Sequence, residues 1–185
     1  VRAATLSTGA VSACVYERNE KGKLQGVAVE GLFPPQRRLP DEEDEKPATR
    51  AKFLENVLRS ETLGLGEGLV GEVASTGKPI MVSDATRDPR IVRHDDPSLE
   101  VRSAIYAPIK FGDLLIGVLA VVNPSNGLAF GETDFSLVNS LAEQAALAIH
   151  NSDIMHVGIE KNKLDMDLAL ASNVQSLFLP AAFPS

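Results

Sequence analysis

The spacing of hydrophobic positions changes along the chain, and each change marks an element. Val11, Ala13 and Val15 alternate with Ser12, Cys14 and Tyr16, the period of a strand over Ala10 to Arg18. Leu24, Val27 and Val29 carry a second strand, and the polar stretch Asn19 to Lys23, with Gly22, joins the two as a hairpin. Residues 1–9 read as the end of a helix stopped by Gly9. Phe53, Leu54, Val57 and Leu58 share one face of a helix over residues 48–58. Leu69 to Thr76 is a short helix, with Gly77 as its stop and Pro79 beyond. Ile80 to Val82 is a short strand, and Asp84 is placed to cap a turn around Asp88-Pro89-Arg90. Residues 93–101 form a charged loop. Ser103 to Phe111 and Leu114 to Asn123 are strands joined at Gly112-Asp113. The second of these is apolar on both sides, which places it centrally in a sheet.

From Glu132 the period lengthens. Val138, Leu141, Ala145, Ala148, Met155 and Ile159 follow spacings of three, four or seven, and Leu164, Leu168, Ala171, Val174, Leu177 and Phe178 continue in a shifted phase. The pattern predicts a helix reaching residue 178, roughly 70 Å at 1.5 Å per residue. A helix that outruns its domain needs a partner for its apolar stripe, and a parallel coiled coil in a homodimer supplies one. Gly158 sits near the phase shift and marks a hinge or a break in the expected helix. The order of elements gives an α+β fold with a mainly antiparallel sheet.

Composition narrows the functional classes. The chain has 185 residues, 44% of them hydrophobic, enough for one domain with an appendage. The net charge of −7 speaks against nucleic acid or an anionic membrane as partner. No apolar run approaches the length of a membrane span, and no secretory signal opens the chain. A soluble, cytoplasmic domain is expected. Val1 is not a natural initiator, so the chain is expected to be part of something longer. The single cysteine, Cys14, excludes an internal disulfide and a multi-cysteine metal site, and its mid-strand position makes an inert thiol the expectation. Asp41 to Glu45 is an acidic run among Pro34, Pro35, Pro40 and Pro47, and residues 36–48 are expected to be poorly ordered.

Few motifs carry chemistry. Gly66-Glu67-Gly68-Leu69-Val70-Gly71 matches a dinucleotide-binding pattern but lacks a strong preceding strand and a full helix after it, so a structural entry to a short helix is the better reading. Asp84, Asp88, His94, Asp95 and Asp96 match no metal-loop spacing. No catalytic residue and no metal ligand is assigned.

Several segments together resemble GAF domains. Gly66 to Pro79 resembles the family's helix before its central strand, and Val82-Ser83-Asp84-Ala85-Thr86-Arg87-Asp88-Pro89-Arg90 resembles the next segment, with Ile91 where the family has Phe. Val101 to Ile109 and Leu115 to Asn123 resemble the paired strands that follow. With the hairpin at 10–30, the resemblance covers residues 1–152 as a sensory domain. It implies a ligand between the sheet and the segment Asp84 to Val92, with Ser83, Arg87, Ile91, Val92, Ser103, Ile105 and Tyr106 lining the site. The ligand is not named by the residues. Cyclic-nucleotide-binding members carry an Asn-Lys…Phe…Asp-Glu signature, and here Asn123, Phe130 and Asp134 are present while Pro124 and Phe135 replace Lys and Glu, so the signature's Lys–Asp ion pair cannot form. Cys14 does not match the cysteine to which bilin-binding members attach their chromophore, and one cysteine is too few for the methionine sulfoxide reductase branch.

Leu164 to Pro180, ending Val174-Gln175-Ser176-Leu177-Phe178-Leu179-Pro180, resembles the segment that opens SpoIIE-like, PPM-type serine phosphatase domains. The resemblance implies that residues 153–180 form a connecting coiled-coil helix leading to a phosphatase domain beyond this chain. The expected function is regulatory: a small molecule or partner biases the sensory domain, and the dimeric helix passes the bias on. The alternatives are a GAF input domain of another signalling enzyme, such as a histidine kinase or diguanylate cyclase, a dimerisation scaffold without ligand, and a small stand-alone enzyme.

Overall fold

The computed structural model describes residues 1–39 and 50–152. Most of the segment expected to lack order, and the whole connecting helix with its phosphatase-like end, lie outside the described residues. Val1 to Ala146 form one compact unit; a second begins at Leu147, of which residues 147–152 are described, as helix.

The elements are α1 (Arg2–Thr8), β1 (Ala10–Arg18), β2 (Leu24–Glu30), α2 (Arg50–Ser60), β3 (Thr62–Leu63), α3 (Gly68–Thr76), β4 (Ile80–Val82), β5 (Ala104–Phe111), β6 (Leu114–Pro124) and α4 (132–152), with 3-10 turns at Ala85–Arg87 and Pro97–Leu99. The strands form one six-stranded sheet in the order β3-β2-β1-β6-β5-β4, antiparallel throughout. β6 lies in the middle of the sheet, as its unbroken apolar run requires. Two-residue β3 is too short to carry a periodic signal in the sequence.

The sheet buries both faces. On one, Cys14 and Tyr16 of β1, Ala104 and Tyr106 of β5 and Val118, Ala120 and Val122 of β6 form a continuous core with Leu58 of α2 and Leu69, Val70 and Val73 of α3. Alternation sends Ala13, Ile105, Ile109, Leu119 and Val121 to the other face, where they are equally buried. α1 lies against β1 and β6. Ala4 of α1 and Val138, Ala142 and Ala146 of α4 are among the buried apolar residues outside the first core.

The glycine motif has a structural use. The Gly66 N–H donates to the Gly71 carbonyl at 2.7 Å, wrapping the chain into the start of α3. A Cβ on Gly71 would stand 2.5 Å from the Gly64 carbonyl oxygen, so no larger residue fits. α3 ends as expected, with Gly77 left-handed at φ 66° and its N–H donating to Val73. α4 starts where Asp134 accepts from the Gly131 N–H at 3.0 Å. Its buried stripe is Val138, Ala142 and Ala146; Leu141 and Ala145 flank it half-buried, and Ala148 is exposed. In this alanine-rich stretch several phases look equally apolar, and the small side chains that let the helix approach closely set the buried one.

Candidate functional site

A groove of about 370 Å³ opens in the segment between β4 and β5. Its apolar wall is Ala85, Ile91, Val92, Leu99 and Val101. Thr86, Arg93, His94, Asp95 and Glu100 form the polar remainder.

The segment is shaped by short-range capping. Asp84 accepts from the Thr86 N–H at 3.1 Å and from its hydroxyl, which holds the Asp84 carboxyl below the usual carboxylate range. Asp88 accepts from the Arg90 N–H at 2.9 Å and from the guanidinium at 3.0 and 2.7 Å, which likewise lowers its pKa. The same guanidinium reaches Glu72 of α3 at 3.0 Å, so Arg90 ties the groove segment to the helix. Asp96 accepts from the Ser98 N–H at 2.9 Å and starts the second 3-10 turn. His94 Nε2 lies 2.8 Å from the Pro35 carbonyl. Among the described residues no group of three or more His, Cys, Asp or Glu is placed to hold a metal ion.

Of the seven positions expected to line a site, the structure brings Ile91 and Val92 into this groove. Ser83 and Arg87 point to solvent, the latter beside Asp84 at 3.4 Å. Ser103 is fully buried; its hydroxyl donates to the Val82 carbonyl at 3.0 Å and accepts from the Phe130 N–H at 3.0 Å. Ile105 and Tyr106, as neighbours in β5, face opposite sides of the sheet, and Tyr106 alone joins the core on the groove side.

A second feature was not foreseen. Asn123, at the end of β6, holds the groove's exit. Its Oδ1 accepts from the N–H groups of Arg102 at 2.7 Å and Ser103 at 3.3 Å, and its Nδ2 donates to the Glu100 carbonyl at 2.6 Å. Asn123 is left-handed at φ 56°, a conformation Asn tolerates better than other side-chain-bearing residues. The clasp of Asn123 and Ser103 therefore connects groove residues Glu100 and Val101 to Phe130, one residue before the Gly131–Asp134 cap of α4. Asn123, Phe130 and Asp134, the three signature positions retained in the sequence, all serve this junction.

A family model described as GAF domain matches residues 2–150. The chain belongs to the GAF family. GAF domains are regulatory and sensory modules of signalling proteins. This GAF domain is 31% identical over 111 residues to a dual 3',5'-cyclic-AMP and -GMP phosphodiesterase 11 of Drosophila melanogaster, a match that takes in 56% of this chain and 8% of that protein. Among solved structures it is similar to the GAF domain of an Acinetobacter phosphoenolpyruvate-protein phosphotransferase, with TM-score 0.61, 19% identity and coverage of 83% of this chain and 80% of the other. It is also similar to the GAF-B domain of DevS from Mycobacterium smegmatis, with TM-score 0.57, 19% identity and coverage of 84% and 90%. At those identities the likeness establishes the fold. No helix among the described residues is long and apolar enough to cross a membrane.

Proposed function

We propose that this GAF domain is the ligand-sensing input of a longer signalling protein and that its groove is read out through the Asn123–Ser103 clasp to α4. The observation that carries the reading is the sharing of residues: Glu100 and Val101 line the groove, and Glu100, Arg102 and Ser103 are held by Asn123. A ligand that shifts the groove wall must act on the clasp, and the clasp meets the start of α4. The relative in Drosophila supports a module attached to a separate catalytic region, since the match takes in 8% of a protein named for phosphodiesterase activity.

The downstream partner in this reading is a SpoIIE-like serine phosphatase domain in the same chain, on the resemblance of Leu164 to Pro180. The parent protein is then a hydrolase, controlled from a cytoplasmic homodimer joined through the C-terminal helix. Leu147 is half exposed, which gives a second copy an apolar residue to cover. Sedimentation should show a dimer that becomes monomeric on truncation after Asn151; a dimer undisturbed by that truncation would place the interface elsewhere. Reading the parent gene past Ser185 tests the phosphatase directly.

Native mass spectrometry of freshly purified protein, incubated with a small-molecule extract, tests the sensing itself. The expected result is a retained adduct, lost when Ile91→Trp fills the groove. No adduct, or one indifferent to that substitution, would remove the groove from the reading and favour a scaffold.

A further inference from the structure

The segment from Asp84 to Glu100 carries five acidic residues against three arginines. Their pairing is uneven. Arg87 lies beside Asp84 at 3.4 Å, and Arg90 reaches Asp88 at 2.7 Å and Glu72 at 3.0 Å. Arg93 turns its guanidinium to the Thr86 carbonyl. Asp96 accepts from the Ser98 N–H at 2.9 Å and from its hydroxyl at 2.7 Å. Among the described residues the side chains of Asp95 and Glu100 have no hydrogen-bond or ion-pair partner. These two are the carboxylates that line the groove, and both are exposed.

The other polar groups of the groove are occupied. Thr86 gives its N–H and its hydroxyl to Asp84, and its carbonyl accepts from Arg93. His94 Nε2 meets the Pro35 carbonyl at 2.8 Å. A carbonyl only accepts, so Nε2 carries the proton in that bond. The contact ties the groove to residues 32–37, which have no regular structure. In that segment Phe33 is fully buried, its ring edge-to-face with Tyr16 at 6.3 Å. The Gln36 N–H donates to buried Glu61 at 3.3 Å, and Arg37 pairs with Glu67 at 2.6 Å. The one arginine of the neighbouring segment is therefore taken as well.

We infer that the groove, taken as the ligand site proposed above, holds an organic cation: a short apolar chain or ring ending in a protonated amine. The carbon chain covers Ile91, Val92, Leu99 and Val101, an attraction without direction. The ammonium supplies the direction, because it has three donors and no acceptor, while Asp95 and Glu100 offer acceptors only. A phosphate or carboxylate ligand meets two like charges in the lining, and Arg93 is already engaged at Thr86. A bare metal ion does not fit, since no group of three or more His, Cys, Asp or Glu is placed to hold one among the described residues. The volume of about 370 Å³ is at the small end for ligand pockets. Because the carboxylates are exposed, they add selectivity more than strength. Glu100 also gives the cation a route to the readout, since its carbonyl is the one that Asn123 Nδ2 holds at 2.6 Å.

Hexylammonium is the probe, with 1-hexanol and hexanoate as comparators of the same chain length, each titrated while amide shifts are followed by NMR. Wild type should prefer hexylammonium over hexanol by about tenfold and bind hexanoate most weakly, with shifts centred on Val92, Leu99 and Val101. High salt should shrink the preference and leave hexanol binding as it was. Asp95→Asn and Glu100→Gln should each cut the preference by about threefold and together abolish it, with hexanol affinity unchanged. Both substitutions are at exposed positions, so the fold is kept. Ile91→Trp, which fills the groove, should abolish binding of all three. Equal affinity for hexylammonium and hexanol, hexanoate binding as well as hexylammonium, or a preference that survives the double substitution would overturn the cation and leave the groove as a ligand site. No binding of any of the three, or binding indifferent to Ile91→Trp, would overturn the groove itself and the cation with it.

Discussion

Two loops lie over the same core face, and both are tied to α3 by an arginine. Arg90 brings the groove segment to Glu72, and Arg37 brings the Phe33 segment to Glu67. Beyond that shared anchor they differ. The groove segment builds its own shape from Asp84, Asp88 and Asp96, each accepting hydrogen bonds two residues ahead. It then locks into Asn123 by three further bonds. The Phe33 segment has no such internal order. It is held by what lies beneath it, and among the described residues Glu61 Oε1 has no hydrogen-bond partner. A loop that satisfies its own polar groups can carry a defined wall. A loop held by one buried ring and long-range tethers takes its shape from the core beneath it.

The contrast is broken most sharply at Asn123. Asn123→Ala removes the partner of two N–H groups and one carbonyl in a site where Asn123 is only 8% exposed, and places alanine at φ 56°. We expect a loss of about 3 kcal/mol in chemical denaturation. Asn123→Gly accepts the φ and separates the lost hydrogen bonds from the strain. A loss below about 1 kcal/mol for Asn123→Ala would mean that the groove segment is no better held than the Phe33 segment.

The next effect lies on the other side. Burial raises the pKa of Glu61 above its ordinary 4.5, against the opposing pull of the Gln36 N–H and Arg37. A raised folded pKa means that the folded state binds the proton more tightly than the unfolded state. Stability from this group is therefore full below pH 4.5 and falls as pH climbs through the folded value. Glu67, Asp84 and Asp88 have lowered values and act in the opposite sense. The difference between wild type and Glu61→Gln isolates the one group. At neutral pH Glu61→Gln should be the more stable by up to about 1 kcal/mol, and the gap should close toward pH 4. A gap that widens on acidification would show that Glu61 is a paired carboxylate.

How legible each region was follows from the same contrast. The groove segment could be anticipated because its cues are local: Asp84 before a turn, Asp-Pro-Arg, Pro97 after Asp96. So could α3, from Gly77 and Pro79, and the central place of β6, from its apolar run. The Phe33 segment had no local cue. Phe33 stands among prolines and glycine in what reads as a loop, and only the packing of β1, β2 and β3 brings it to Tyr16. Asn123 was visible as a signature position, but its three bonds run to residues twenty or more positions away. Ile105 and Tyr106 were assigned to one site because alternation fixes that neighbours part, without fixing which faces the groove.

Smaller effects test the shared anchor. Arg90→Ala removes the contacts to Asp88 and Glu72, and with them the guanidinium that lowers the Asp88 carboxyl. The side chain is 43% exposed, so the global cost should be about 0.5–1 kcal/mol. The Asp84, Asp88 and Asp96 turns remain, and amide exchange should quicken around Arg90 while the Ser98 N–H stays protected. Exchange that rises throughout 85–101 would mean that Arg90, and not local capping, shapes the groove.

The smallest global effect belongs to Arg37. Its partner Glu67 is held below the usual carboxylate range first by the Gly64 N–H at 2.9 Å and then by Arg37, so losing the arginine leaves Glu67 still bonded. Both side chains are about half exposed, at 51% and 44%, and salt screens such a pair. Arg37→Ala should therefore cost under about 0.5 kcal/mol in denaturation, or one to two degrees in Tm. Its local effect should be larger, because the segment has few other tethers. Gln36 is bonded to Glu61 across 3.3 Å, and both neighbours before it are prolines, so its N–H is the one protected reporter in reach. We expect its exchange to quicken severalfold in Arg37→Ala, and in wild type at high salt, while the Arg102 and Ser103 N–H groups under Asn123 do not change. Equal protection of Gln36 in the variant would mean that the Phe33 ring alone holds the segment. The difference between the two loops would then rest on burial, with the ion pair contributing nothing.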